Sequence, residues 1–156
     1  MKLKLLAVGQ KMPQWVTEGF NEYAKRLPRE CALSLQEIVP AKRGKTSQPS
    51  QWMAEEGSRL LNAVTDADYV VALEVGGKAW TTEQLATALS QWQSAGRDVC
   101  LMIGGPDGLD KRCLQRADQQ WSLSALTLPH PLVRVILAEQ LYRAWTVLQN
   151  HPYHRA

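Results

Sequence analysis

The feature that most constrains this chain is a regular alternation of short apolar runs with segments of helical periodicity. Leu3–Val8 reads as a buried strand. Pro13, tolerated in a first turn, opens a helix carrying Trp15, Val16, Gly19, Phe20 and Tyr23, and Pro28 stops it. Leu33, Leu35 and Ile38 mark a second strand closed by Pro40, and a helix is predicted over Ser50–Val64. The β-branched run Tyr69–Val75 is a third strand, with Gly76-Gly77 read as a turn. Thr81 with Gln84 forms a capping-box pattern, and Gly96 reads as the C-cap of the helix between them. Val99–Ile103 is a fourth strand, Asp110–Gln119 a helix, Leu123–Leu128 a final strand or extended loop, and Pro131–Gln149 a long helix. Such alternation predicts an α/β fold whose mostly parallel sheet is covered by helices on both faces. Ligands of such sheets sit at the carboxyl ends of strands. Here that means the segments after Val75, Ile103 and Leu128.

The 156 residues suit a single domain, residues 1–156. With 45% hydrophobic and 21% charged residues, the chain falls in the folded range, outside the disordered one. No apolar run approaches the ~20 residues of a membrane span. The N-terminal apolar core, Leu5–Val8, is too short for a signal sequence. Cys31, Cys100 and Cys113 are odd in number and form no C-x-x-C, so reduced thiols and a cytoplasmic location are expected. Charge is uneven. Lys and Arg outnumber Asp and Glu nine to four through Pro49, trail six to ten through Gln120, and lead three to one thereafter. Basic ends around an acidic middle suit a nucleic-acid face, and equally an ordinary solvated surface.

Two loops stand out. In LMIGGPDGL, an apolar strand runs into Gly104 and Gly105, whose missing Cβ atoms let main-chain groups approach a ligand, and Pro106 fixes the turn. A tight structural turn is the competing reading. Neither G-x-G-x-x-G nor a Walker loop is present. Between Ser122 and His130, Ser122, Ser124 and Thr127 alternate with Leu123, Leu126 and Leu128 ahead of Pro129 and Pro131. Hydroxyls and free amides there can line a pocket for a polar ring, with leucines on its faces. The last helix is apolar almost all round, which calls for cover on every side and so for a second subunit. Arg134, Glu139 and Arg143 interrupt it, and Glu139 and Arg143 are spaced to pair.

The segments IGGPDGL, WSLSALTLPHPLVRVILAEQLYRAW and NHPYHR, with the start KLKLLAVGQKMPQWV and the loop AKRGK, resemble the small SPOUT-class ribosomal RNA methyltransferases. Within that class they resemble the family that methylates N3 of a pseudouridine in large-subunit (23S) rRNA. The resemblance covers the whole chain. It implies a deep C-terminal trefoil knot, a homodimer, S-adenosylmethionine as cofactor and the ribosome as substrate, without metal or membrane. It also implies a cofactor pocket containing Leu73, Gly104, Gly105, Leu123, Ser124, Ala125, Leu126, Thr127 and Leu128.

Pseudouridine N3 carries a proton, so a positioned base is worth roughly 10²–10⁴-fold. The candidates for catalytic groups are His130, Glu139, Arg143, Tyr153, His154 and Arg155. His130 reads either as a base beside the cofactor or as a loop histidine with structural hydrogen bonds. The tail His151–Arg155 lacks the partners of a metal site but suits an RNA-contacting lid, Tyr153 stacking and Arg155 binding phosphate. In the resembling family this tail completes the partner subunit's site. Lys42, Arg43 and Lys45 read as phosphate contacts or as a solvated basic loop.

Overall fold

Strand residues of alternate parity point to opposite faces, and this chain fills both. In the computed structural model, which describes residues 1–155, five strands and five helices alternate. They are β1 (Leu3–Val8), α1 (Gln14–Ala24), β2 (Leu33–Ile38), α2 (Pro49–Asn62), β3 (Tyr69–Ala79), α3 (Thr82–Ala95), β4 (Val99–Ile103), α4 (Lys111–Arg116), β5 (Gln119–Ser122) and α5 (His130–Leu148). The last residue of the expected domain lies outside the described residues. The strands form one sheet in the order β2-β1-β4-β3-β5, and every pairing is parallel.

Leu3, Leu5, Ala7, Val99, Leu101 and Ile103 pack on one face with Phe20 of α1, Leu85 and Leu89 of α3, and Leu137 and Leu141 of α5. Leu6, Val8, Cys100 and Met102 pack on the other with Leu60 of α2 and Cys113 of α4. The central strands are thus buried on both sides, as the unbroken run VCLMI requires. Local chemistry sets several boundaries. Thr81 and Gln84 form the expected capping box, and Gly96 ends α3 at φ 73°, a left-handed conformation that glycine adopts freely.

Three boundaries differ from expectation. Gly76-Gly77 is no turn. β3 runs on to Ala79, with a register shift between Leu73 and Lys78 that bulges Glu74–Gly77 out of the ladder. A Cβ on Gly77 would lie 2.7 Å from the Gln120 carbonyl carbon, so close approach of β5, rather than chain reversal, requires glycine there. The helix expected to reach Gln119 stops at Arg116, because Gln119–Ser122 pairs with β3 as the edge strand. Leu123–Leu128 accordingly takes the extended-loop alternative and leaves the sheet.

Expected to need a partner for cover, α5 finds much of it within the chain. It lies against α1, α3 and the 3-10 turn Pro152–His154, and Leu148 is its one exposed large apolar residue. Nor does Arg134 interrupt an outer surface. It is buried at 1% exposure.

Candidate functional site

Between the carboxyl end of β4, the mid-strand bulge of β3 and the 123–129 segment, the fold leaves a cavity of about 520 Å³. Its walls include Leu73, Glu74 and Val75 from β3 and its bulge, and Ile103, Gly104, Gly105 and Pro106 from β4 and its loop. Ser122, Leu123, Ser124, Leu126, Thr127, Leu128 and His130 complete them. Gly104 cannot carry a side chain, since a Cβ would lie 2.5 Å from the Gly108 carbonyl oxygen. Along the 123–129 segment, Ser122 Oγ donates to the Ser124 carbonyl and Leu126 N–H donates to Ser124 Oγ. Among the described residues, the N–H groups of Ser124, Ala125, Thr127 and Leu128 have no intramolecular acceptor. Unpaired amides beside an apolar wall are suited to a ligand with a flat, hydrogen-bonding ring.

His130 begins α5 at the floor of this cavity. Arg134 Nε donates to its Nε2 at 3.1 Å, which makes Nε2 an acceptor. Nδ1 then carries the hydrogen and donates to the Gly104 carbonyl at 3.0 Å. Burial pushes the imidazole pKa down, and Arg134 adds to this against the opposing pull of the Gly104 carbonyl and Glu37. The ring is therefore neutral with both nitrogens committed. The Arg134 guanidinium also donates to Glu37 at 2.8 Å and to the Gly9 carbonyl at 3.1 Å. One buried cation thus ties the ends of β1 and β2 to the glycine loop through His130.

Glu139, Arg143 and Tyr153 meet elsewhere. Arg143 donates to Glu139 Oε1 through Nε at 2.8 Å, and the Tyr153 hydroxyl donates to the same oxygen at 3.0 Å. Arg143 lies over the Tyr153 ring, 5.1 Å from its centre, and Tyr153 packs on Tyr142. Burial first, then the bond to Glu139, pushes the phenol up to about 12, so it remains a donor. His154 follows in the same turn, half-buried, with Arg155 exposed beyond it. Glu139 is nine residues along α5 from His130, roughly 14 Å at 1.5 Å per residue. Within one chain, the tail group and the cavity floor are separate clusters.

A family model described as "Predicted SPOUT methyltransferase" matches residues 1–154. The chain belongs to the SPOUT methyltransferase family. It is similar over 99% of its length to ribosomal RNA large subunit methyltransferase H of Methylococcus capsulatus, 58% identical with all of that protein covered. The protein of the same name from a Marinomonas species is 59% identical over the same share of each chain. Among solved structures, methylase family proteins from Haemophilus influenzae (TM-score 0.58, 10% identity, 99% of this chain and 70% of that one) and Neisseria gonorrhoeae (0.54, 12%, 90% and 81%) share the fold.

On this SPOUT fold, eight of the nine residues expected at the cofactor pocket line the cavity. Ala125 does not, although its equally exposed neighbours Leu126 and Thr127 do. Of the six expected catalytic residues, His130 alone is at the cavity. Glu139, Arg143 and Tyr153 form the second cluster, with His154 and Arg155 following them at the end of the chain. Glu74 and Val75 were missed because the double glycine after them reads as a turn. Glu37 and Gly9 were missed because nothing in their local pattern announces a buried arginine 97 and 125 residues away. Among the described residues no cluster of three or more His, Cys, Asp or Glu is placed to hold a metal ion, and no helix is long and apolar enough to cross a membrane.

Proposed function

We propose that this SPOUT protein transfers a methyl group from S-adenosylmethionine to N3 of a pseudouridine in the helix 69 loop of 23S rRNA. The substrate is the assembled ribosome, and the enzyme acts as a cytoplasmic homodimer whose C-terminal segment is knotted. The observation that carries this reading is the cavity between the β3 bulge and the β4 end, in a chain 58% identical to a protein named as a large-subunit rRNA methyltransferase.

The cavity fits the cofactor. Its volume of about 520 Å³ lies within the roughly 300–1,000 Å³ of small-molecule sites. Leu73, Leu123, Leu126 and Leu128 offer apolar faces for a purine, and the unpaired amides of the 123–129 segment offer donors for its edge. Bound there, the cofactor supplies an electrophilic methyl group on a sulfonium. The protein's share of the work is then alignment, which contributes on the order of 7–11 kcal/mol when two reactants are held in register.

His130 serves that alignment by holding the Gly104 carbonyl, and its locked neutral state leaves no nitrogen free to take the N3 proton. The groups that face RNA are Arg143 and Tyr153, both oriented by Glu139, with His154 and Arg155 after them. Their arginines favour the deprotonated base by charge, while the Tyr153 ring, with Arg143 over it and Tyr142 packed against it, buttresses the cluster rather than offering an open face for stacking. Because this cluster is remote from its own cavity, the partner's tail completes each site. Lys42 and Lys45 are exposed and hold rRNA phosphates.

Two measurements test the reading. S-adenosylmethionine at 100 times its Kd should stabilise the fold by about 2.7 kcal/mol. Stabilisation by a flavin or a nucleotide instead points to a different ligand class. Mass spectrometry of 23S rRNA from cells lacking the protein should show an unmethylated pseudouridine. A fully methylated site in such cells rejects the assignment.

A further inference from the structure

The basic loop and the glycine loop are joined. Arg43 Nη1 pairs with Asp107 at 3.2 Å, and its guanidinium lies over the Trp52 indole, 4.7 Å from the ring centre. Asp107 sits between Pro106 and Gly108, which both line the cavity, but is absent from the cavity wall. Its carboxylate is thus an outward handle on a loop whose inner side forms the pocket. A second tie lies beneath: Ala41 N–H donates to the buried Glu56 carboxylate, whose Oε1 lies 3.1 Å from where a Gly105 Cβ would be. Among the described residues, the Arg43 guanidinium makes this ion pair and no side-chain hydrogen bond, and about a third of the side chain is exposed. An arginine presents five donors in a fixed fork, enough for a carboxylate on one edge and a phosphate on the other.

We propose that Arg43 is a positioning residue that bridges an rRNA phosphate and Asp107, so that filling the cofactor pocket and binding the ribosome strengthen each other. This rests on the function proposed above. A cofactor that orders the Gly104–Leu109 loop fixes Asp107, which presents Arg43 to the phosphate. A bound phosphate in turn holds the loop closed on the cofactor. Trp52 fixes the plane of the fork, which a lysine cannot reproduce. A partly exposed pair of this kind is worth up to about 1 kcal/mol, a coupling of roughly two- to fivefold.

The test uses the full-length protein, purified 70S ribosomes lacking the modification, and sinefungin, a cationic cofactor analogue with no methyl group to transfer. Ribosome Kd is measured with and without saturating sinefungin. Wild type should bind ribosomes two- to fivefold more tightly with the analogue. Asp107→Asn should abolish that factor while still binding each ligand, and Arg43→Lys should lose it too. Lys42→Ala should weaken ribosome binding yet keep the factor. An unchanged factor in Asp107→Asn, or none in wild type that binds both ligands, overturns the bridge alone. Failure of wild type to bind sinefungin at all overturns the proposed function and the bridge with it.

Discussion

At the scale of single residues, the site depends on one buried cation. Arg134 holds His130, Glu37 and the Gly9 carbonyl, so its removal strands three partners at once. Replacing Arg134 with Met should cost about 3 kcal/mol, the low end for breaking a buried pair, because Glu37 keeps some contact with water. Urea denaturation measures this, and a loss under about 1 kcal/mol would show the network to be ornamental. His130 adds a pH dependence of definite sign. Its folded pKa lies below the ordinary 6.5, so the unfolded chain binds more protons in the window between the two values. Stability should therefore fall as pH drops below about 6.5 toward the folded value, and in His130→Gln this contribution to the slope should disappear. A slope unchanged by the substitution would mean that the ring is not held neutral.

At the scale of elements, what was legible in the sequence is what local chemistry decides. β1, β2 and β4 are continuous or alternating apolar runs, and they fall where the pattern puts them. The caps of α3 are likewise local signals. The errors cluster where a partner strand overrides the pattern. Gln119 and Gln120 look helical or loop-like but pair with β3 at the sheet edge, where polar residues are tolerated. Leu123–Leu128 left strand and extended loop both open, and it takes the loop, with its leucines lining the cavity and Leu123 also packing on the core. The pocket residues were legible through resemblance to a family, while the Arg134 network was not, because its partners meet only in the fold. The glycine loop offers the test at this scale. Gly104→Ala puts a Cβ 2.5 Å from the Gly108 carbonyl oxygen, a backbone atom that cannot swing aside. Cofactor affinity by calorimetry should fall tenfold or more, about 1.4 kcal/mol, with far-UV circular dichroism unchanged. Wild-type affinity in this variant would show that the loop is not part of the binding wall.

At the scale of the whole molecule, the separation of the two clusters carries the argument for a dimer. α1 and α3 already cover much of α5, so an uncovered helix no longer demands a partner. Under the proposed function the tail does, because Glu139 stands roughly 14 Å along α5 from His130 and the cavity it floors. If each tail serves the other subunit's cavity, two defects in different subunits should complement. Gly104→Ala damages the pocket and leaves the tail intact, whereas Arg155→Ala, at an exposed position, damages the tail and leaves the pocket intact. Each homodimer should be nearly inactive. An equimolar mixture, unfolded and refolded together, forms heterodimers in half of its molecules. Each heterodimer pairs one sound pocket with one sound tail across the interface, so activity should return to about a quarter of wild type. Were each tail to serve its own cavity, every site in the mixture would carry a defect and activity would not return.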